Sequence, residues 1–345
     1  MELPVRWVDV LKSLRSSASD VDAEWMKRHR KTDTIKLMTC ILSSLQHRAS
    51  IKSILHTIDS CDFTFTAYNN AMKRCPVSVF KHLHYKLIGG TRRGRTLAVD
   101  GSRIALTKSQ SGTRAGRTRS VPTCLLSSIY DVNNRVIGSM DLSDHYDERA
   151  TLKRMLVDVK AGDTLVMDRG YYSDSLLQLL DAQGIKFVCR LRSNIGGKFT
   201  PLGNGIFRTP SGTTVVISSY TAGGTCFKVL HSLRIPANKA KRLYKQRWDI
   251  EETFKSLKCT IGLRASQLKT NAKTELGKYM WVCASLHYLQ RLIVFNSNRQ
   301  PYNGVQVVKW LIYKLCGGQS NRIEFNKMYS TKGNKRCRNK TTQPS

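Results

Sequence analysis

Acidic side chains are scarce in this sequence. It has 24 Asp and Glu residues against 57 Lys and Arg, so its formal net charge is +33. Such an excess of cations is far larger than solubility requires and is typical of proteins that bind a polyanion. DNA or RNA is the partner that this balance favours, with a membrane surface or a ribosome as the alternatives.

Close cysteine pairs and long apolar runs are also absent. The ten cysteines lie at least fourteen positions apart, which excludes a zinc site built on a C-x2-C pair. We interpret them as small buried side chains in a reducing compartment. No run of about eighteen apolar residues is present, and the N-terminal sequence lacks the layout of a signal peptide. We therefore expect no membrane partner and a cytoplasmic, nucleoid-associated protein.

Hydrophobic periodicity divides the chain into three regions. Residues 1–88 have helical spacing, which predicts a small helical domain that either binds DNA or forms a structural cap. Residues 89–300 follow the order β, β, β, α, β, α, β, which predicts an α/β catalytic domain with a mixed sheet. A Gly- and Thr-rich stretch at about 194–236 predicts a β-rich insertion in that domain. Residues 301–345 predict one helix and a basic, mostly disordered tail.

Three carboxylates fall at the ends of predicted elements. Asp100 ends the first strand, Asp168 ends the fourth, and Glu251 lies on the helix after the fifth. Functional groups gather at the carboxyl ends of parallel strands, and the first and fourth strands can be neighbours. Taken singly, the two aspartates could be turn residues and the glutamate a solvated helix residue. Taken together, they predict a site for two Mg²⁺ ions, with Mn²⁺ as a substitute.

The segment YKQRWDIEETFKSLK, residues 244–258, combines an aromatic, an acid and two cations. On one unbroken helix, its Tyr244, Arg247, Glu251 and Lys258 would share a stripe about 60° wide. A carboxylate bracketed by cations suits a phosphodiester, because the acid can hold a metal ion while the cations bind phosphates.

The same helix offers a second acid and an apolar side. Glu252 competes with Glu251, but it would lie about 80° from Tyr244 and off the stripe. We therefore favour Glu251 as the third carboxylate. The residues predicted to face the core are Trp248, Ile250, Phe254 and Leu257.

These motifs resemble those of the DDE transposases of bacterial insertion sequences, in particular the IS-four group. That group has the signature Y-x2-R-x3-E-x6-K, and every spacing is met between Tyr244 and Lys258. The motifs VDGS around Asp100 and MDRGYYS around Asp168 are similar to its two aspartate motifs. The resemblance runs from about residue 30 to about residue 295. It implies an RNase H-like catalytic domain with a β-rich insertion.

The resemblance also implies an activity. It is metal-dependent cleavage of transposon ends followed by strand transfer, by cut-and-paste through a hairpin. Asp100, Asp168 and Glu251 would hold the two ions. The implied partners are double-stranded DNA, as terminal inverted repeats and target, and a second copy of the chain in a synaptic homodimer. The residues expected to contact DNA are Tyr244, Arg247, Lys258, Arg190 and Arg169.

Two further points stay open at the level of sequence. Hairpin-forming relatives stack a flipped base on an aromatic side chain of the insertion, and Phe207, Tyr220 and Phe227 are the candidates, with core packing as the alternative for each. The alternatives to an active transposase are a catalytically silent DNA-binding descendant and an RNase H-like nuclease that cuts without joining.

Overall fold

A computed structural model describes most of the chain. The described residues are 7–28, 30–89, 94–105, 113–114, 122–192, 198–222, 224–263, 273–295 and 303–318. The predicted tail beyond residue 318 lies outside them. Within these ranges, no helix combines the length and the apolarity that crossing a bilayer requires.

The described residues of the N-terminal part form five α-helices. The side chain of Asp33 accepts a hydrogen bond from the Lys36 N–H at the start of the second helix, and that of Ser50 caps the third. The five helices are α1 (Trp7–Trp25), α2 (Thr34–His47), α3 (Ile51–Ile54), α4 (Phe65–Arg74) and α5 (Val77–Ile88).

Ten strands follow in the part of the chain that the structure describes, with helices between and after them. The strands are β1 (Thr96–Ala105), β2 (Thr113–Arg114), β3 (Pro122–Asp131), β4 (Val136–Ser143), β5 (Thr164–Met167), β6 (Lys186–Arg190), β7 (Thr200–Gly203), β8 (Ile206–Arg208), β9 (Thr214–Ala222) and β10 (Thr225–His231). The helices are α6 (Glu148–Met155), α7 (Asp174–Ala182), α8 (Ala237–Gln246), α9 (Trp248–Lys255), α10 (Lys273–Phe295) and α11 (Gly304–Leu315).

All ten strands belong to one mixed sheet. Its order is β2-β3-β1-β5-β6-β10-β9-β8-β7. β4 also pairs with β3, over Leu125–Asp131, whereas β2 pairs with the first two residues of β3. β1 and β5 run parallel, as do β5 and β6, whereas the other pairs are antiparallel. The strands of the predicted insertion, β7 to β10, therefore prolong the catalytic sheet, because β10 pairs directly with β6.

Helices cover both faces of the sheet. In β1, Leu97 and Val99 pack into a core with α6 and α7, whereas Ala98 packs into a core with α9, α10 and α11. This alternation is the period of two that a strand buried on both faces must have. α8 and α9 also lie on the Ala98 face, where α9 contacts β1.

The N-terminal helices share that second core. Buried side chains of α1 to α5 form one cluster with α10, α11 and the adjacent face of β1, β3 and β4. A polar contact joins them as well, because the ring Nε2 of His84 on α5 lies 2.8 Å from the carbonyl oxygen of Ile137 on β4. The boundaries at residues 88 and 300 stay predictions, and the hydrophobic core of the described residues is continuous across both.

A buried ion pair holds the amino ends of β1 and β5 in register. Arg95 precedes β1 and Asp163 precedes β5, and both side chains are almost fully buried. The guanidinium Nη2 and Nε of Arg95 donate to Asp163 Oδ2 at 2.7 and 3.2 Å, and the Arg95 backbone N–H donates to Oδ1 at 2.9 Å. This contact sets the register in which β1 pairs with β5.

Candidate active site

The two aspartates lie side by side just beyond the point where the parallel pairing of β1 and β5 ends. The prediction that Asp100 ends the first strand is wrong, because β1 continues along β3 to Ala105. β1 and β5 pair with Ala98 opposite Val166, and Asp100 and Asp168 follow two residues later on each chain segment. An even step returns each side chain to the same side of the sheet, and neighbouring strands are about 4.8 Å apart. The prediction that the first and fourth strands are neighbours is therefore confirmed.

The third carboxylate is tied to the first by an arginine. Arg247 Nη1 donates to Asp100 Oδ2 at 2.9 Å, and its Nη2 donates to Glu251 Oε1 at 2.5 Å. Burial alone would lower the pKa of Arg247, but the hydrogen bond to Glu251 and the charge of Asp100 raise it overall. The guanidinium therefore stays charged and lies between the two acids.

Asp100 is in a mixed electrostatic environment. Burial raises its pKa, Arg247 and the Gly101 N–H lower it, and the charges of Asp168 and Glu251 raise it again, so the pKa is above its usual value. Backbone N–H groups orient both aspartates, since Gly101 donates to Asp100 Oδ1 at 2.8 Å and Gly170 donates to Asp168 Oδ1 at 2.7 Å.

The segment that carries the signature residues is interrupted, so it is not the one unbroken helix that the sequence predicted. α8 ends at Gln246 and α9 begins at Trp248. The Arg247 N–H bonds to the Tyr244 carbonyl, and the Ile250 N–H bonds to the Arg247 carbonyl, three residues apart in each case. These tight turns rotate the chain faster than 100° per residue.

The predicted apolar side of the helix needs one correction. Ile250, Phe254 and Leu257 are buried as predicted, but Trp248 is 60% exposed. At 100° per residue Trp248 lies about 150° from the mean direction of the other three, so helical periodicity itself places it on the opposite side.

Lys258 reaches the site from a widened turn. It lies in the π-helical turn Ser256–Thr260, and its Nζ donates a hydrogen bond to the Ser102 hydroxyl on β1. Ser102 follows Asp100 by two residues, so Lys258 lies on the same strand end as the aspartate. Tyr244 packs against the sheet, and the Arg247 guanidinium lies 5.9 Å from its ring centroid.

The remaining predicted residues lie in different surroundings. Arg190 lies over the ring of Phe227 at 4.6 Å, and that ring stacks on Tyr220 with centroids 5.4 Å apart and an interplanar angle of 20°. Phe207 instead packs against the core beneath α7. Arg169 is exposed directly after Asp168.

Two residues at the site were missed by the sequence reasoning. Glu148 begins α6, and its pKa is raised by burial and by the charges of Asp168 and Asp100. The Tyr171 hydroxyl is fully buried without a hydrogen-bond partner, and its pKa is raised by burial and by the same three carboxylates. The sequence contained little signal for Glu148, because an acid in the first turn of a helix is common for the helix dipole alone.

The donor set fits a hard divalent cation. Asp100, Asp168 and the nearby Glu148 and Glu251 offer carboxylate oxygens, which are the ligands that Mg²⁺ and Mn²⁺ prefer. Tyr171 adds a buried hydroxyl that still needs a partner. Over the described ranges, no three metal-binding side chains already converge on one point; the Arg247 guanidinium lies between Asp100 and Glu251.

Comparison with known proteins agrees with this geometry. The profile of the family described as "Transposase DDE domain" matches residues 91–286. The cryo-EM structure of a piggyBac transposase synaptic complex with hairpin DNA superposes with a TM-score of 0.54, over 91% of this chain and 80% of that chain, at 10% sequence identity. That likeness concerns the fold and confirms the RNase H-like prediction. No curated protein sequence matches the chain.

The family match covers more than half of the chain and contains Asp100 on β1, Asp168 directly after β5 and Glu251 on α9. The chain therefore belongs to the family of transposase DDE domains.

Proposed function

We propose that this protein is a transposase that cuts the ends of a transposon and joins them to target DNA. The observation that carries the proposal is the approach of Asp100, Asp168 and Glu251 from two strands and a helix, with Arg247 linking the first to the third. Two divalent ions held by these three carboxylates would activate the attacking oxygen and stabilise the leaving one.

The reaction that suits this site is hydrolysis followed by transesterification. A water oxygen bonds to the phosphorus at the transposon end, the bond from phosphorus to the 3′ oxygen breaks, and that oxygen takes up a proton. The freed 3′-OH then attacks a phosphorus of a second strand, which releases another 3′ oxygen. The chain's own residues would align the strand, because Lys258 contacts Ser102 two residues from Asp100 on β1.

The DNA strand would lie along the Lys and Arg side chains that surround the carboxylates. Arg247 and Lys258 would bind phosphates, since a guanidinium forks onto two phosphate oxygens and an ammonium supplies a point charge. Exposed Arg169 and half-buried Arg190 flank the same strand ends. The overall charge of +33 supplies attraction that does not depend on sequence.

A platform beside this path suits a flipped base. Tyr220 and Phe227 stack on each other, Arg190 lies over Phe227, and Lys241 lies 5.2 Å from the Tyr220 ring centroid. A base on an aromatic side chain gains about 1–3 kcal/mol. Excision through a hairpin, as in cut-and-paste transposition, would use this platform, whereas Phe207 packs in the core.

The assembly is part of the same proposal. The fold relative is a synaptic complex with hairpin DNA, and we propose a homodimer on paired transposon ends, with membership of the IS-four group and a place on cytoplasmic nucleoid DNA. The helices before residue 88 would grip the inverted repeats, because a groove beside α1 is lined by Arg15, Lys27, Arg28 and Arg30.

Strand cleavage with Mn²⁺ on terminal-repeat DNA tests the proposal. Glu251→Gln should reduce nicking by at least about 100-fold, because it removes a metal ligand, and should leave DNA binding nearly unchanged. Glu252→Gln is the matched control, since Glu252 is 58% exposed and lies 4.0 Å from Lys255. Inactivation by Glu252→Gln instead would refute the choice of acid.

Transfer of the cut strand to a target plasmid distinguishes a transposase from the two alternative functions. A nuclease nicks the DNA but transfers no strand to a target plasmid, and a silent DNA-binding descendant binds without nicking. Nicking and joining by the wild-type protein together are the expected result.

A further inference from the structure

Glu148 approaches Asp100 and Asp168 from the face of the sheet opposite to the one on which Arg247 lies. Its helix, α6, packs through Leu152 and Met155 into the core that lies under α6 and α7. Arg247 approaches Asp100 from the other side, where α8 and α9 lie. The first turn of α6 thus passes the strand ends, and Glu148 brings its carboxylate over them.

Two glycines make room for this carboxylate. A Cβ atom on Gly101 would lie 2.7 Å from Glu148 Oε1, closer than real Cβ atoms approach. A Cβ atom on Gly170 would lie 3.0 Å from Asp168 Oδ1 and 3.6 Å from Glu148 Oε2. The carboxylates of Glu148 and Asp168 therefore flank the same small space, and it stays open because these two positions have no side chain.

A buried hydroxyl adds an independent observation. Tyr171 is 0% exposed, its hydroxyl has no hydrogen-bond partner, and it lies within electrostatic range of Glu148, Asp100 and Asp168. Buried hydroxyl groups almost always have a partner. A ligand seated between the carboxylates would supply one.

The local charge points to a cation as that ligand. Three carboxylates in partly buried surroundings repel each other, and their ionised forms persist together only beside positive charge. Arg247 contacts Asp100 directly, but the side chain that it bridges to is Glu251. Arg103 and Arg149 lower the pKa of Glu148, yet burial and the charges of Asp168 and Asp100 keep that pKa raised overall. A divalent ion between Glu148, Asp100 and Asp168 would offset this repulsion.

We propose that Glu148 is a fourth carboxylate of the active site and joins Asp100 and Asp168 in holding a divalent cation. This inference rests on the proposed function, since it assigns a further ligand to the same metal site. The competing role for Glu148 is a purely structural one, in which its charge stabilises the positive end of the α6 dipole.

Titration of the full-length protein with Mn²⁺ alone, followed by calorimetry or electron paramagnetic resonance, tests the proposal without any turnover. Glu148→Gln should weaken Mn²⁺ binding at least about tenfold, which is the loss expected when a group that supports a metal site is removed. Asp168→Asn should weaken it as well, and Glu252→Gln should leave it unchanged.

Thermal unfolding in EDTA distinguishes the two roles of Glu148, because they predict opposite changes in the unfolding midpoint of Glu148→Gln. As a ligand, Glu148 repels its neighbours when no cation is present, so Glu148→Gln should raise the midpoint of unfolding and reduce the stabilisation that added Mn²⁺ gives. As a structural helix-dipole residue, it should lower the midpoint on substitution and leave the Mn²⁺ effect intact.

The outcomes distinguish this inference from the function on which it rests. Absence of Mn²⁺ binding by the wild-type protein would refute the metal site and Glu148's part in it together. Binding that is lost in Asp168→Asn but equal to wild type in Glu148→Gln would overturn the inference and leave the proposed function standing.

Discussion

At the scale of single residues, the positively charged side chain of Arg247 organises the site. Arg247 lies between Asp100 and Glu251 and neutralises part of their repulsion. A metal ion or a phosphate would compete for these partners, because the same fork of N–H groups matches carboxylate and phosphate alike. Under the proposed function, a phosphate that drew Arg247 away would free Asp100 and Glu251 for metal ions.

Lys258 provides the residue-scale prediction. Its π-helical turn brings the ammonium to Ser102 beside Asp100. Lys258→Ala should weaken binding to terminal-repeat DNA and reduce the slope of log K against log salt by about 0.9, the value for one phosphate contact. Filter binding or fluorescence anisotropy at several salt concentrations measures both.

Lys255 is the matched control for that experiment. It lies one turn earlier, its side chain is 71% exposed, and its near neighbour is Glu252 at 4.0 Å. Lys255→Ala should leave the slope almost unchanged. An equal loss of slope in both variants would mean that Lys258 makes no contact of its own and contributes only to the general positive field.

At the scale of elements, the position of the aspartates depends on the pairing of two parallel strands. Parallel neighbours are joined by a crossover, so no tight turn sets their register. Here the buried contact between Arg95 and Asp163 performs that function at the amino ends of β1 and β5. Asp100 follows Arg95 by five residues and Asp168 follows Asp163 by five, and these equal counts bring both aspartates to the same side.

Breaking this ion pair should destabilise the whole fold. Arg95→Ala leaves Asp163 fully buried without its partner, and removal of one partner of a buried pair costs about 3–5 kcal/mol of unfolding free energy. Urea denaturation measures the loss.

The exposed pair between Arg154 and Asp141 is the control for Arg95. The Arg154 side chain is 54% exposed, so Arg154→Ala should cost less than about 1 kcal/mol. Similar costs for the two variants would refute a special role of the buried pair.

At the scale of the whole molecule, the N-terminal helices and the catalytic sheet form one continuous core. His84 on α5 and His287 on α10 lie inside it. Burial lowers the pKa of His84 to about 4 and that of His287 to about 3, with the charges of Arg291 and His84 adding to the effect on His287. Both rings are therefore neutral in the folded protein at pH values where they are charged in the unfolded chain.

The pH dependence of stability follows from these two histidines. Below pH 6.5 the unfolded chain binds protons that the folded chain does not, so stability falls as the pH is lowered toward 4. Between pH 6.5 and 5 the loss is about 2 kcal/mol for each ring. The raised pKa values of Asp100 and Glu148 act in the opposite sense and reduce the net slope.

Substitution of one ring tests this account. His287→Leu should make the unfolding free energy less dependent on pH between 6.5 and 5, measured by urea denaturation at a series of pH values. His56→Leu, at an exposed position, should leave the dependence as in the wild type. An unchanged slope in His287→Leu would contradict the predicted contribution of the buried ring.

Local patterns were sufficient for most elements and for the position of Asp168 directly after its strand, but not for the end of β1, which continues past Asp100 because it pairs with β3 as far as Ala105. The caps at Asp33 and Ser50, the strand that ends near Asp168 and the helix after residue 273 follow from side-chain periodicity and capping chemistry. The straight helix through Arg247 did not follow, because two tight turns there depend on how the chain meets the sheet.

The sequence by itself determined the fold class, the order of the strands and the spacing of the signature residues, because all three depend on periodicity and on contacts between near neighbours. Only the tertiary structure decided that Glu148 and Tyr171 lie with Asp100 and Asp168, and that Arg247 links Asp100 to Glu251. Those contacts join residues far apart in the chain, and they exist because packing on both faces of the sheet brings α6 and α9 to the same strand ends.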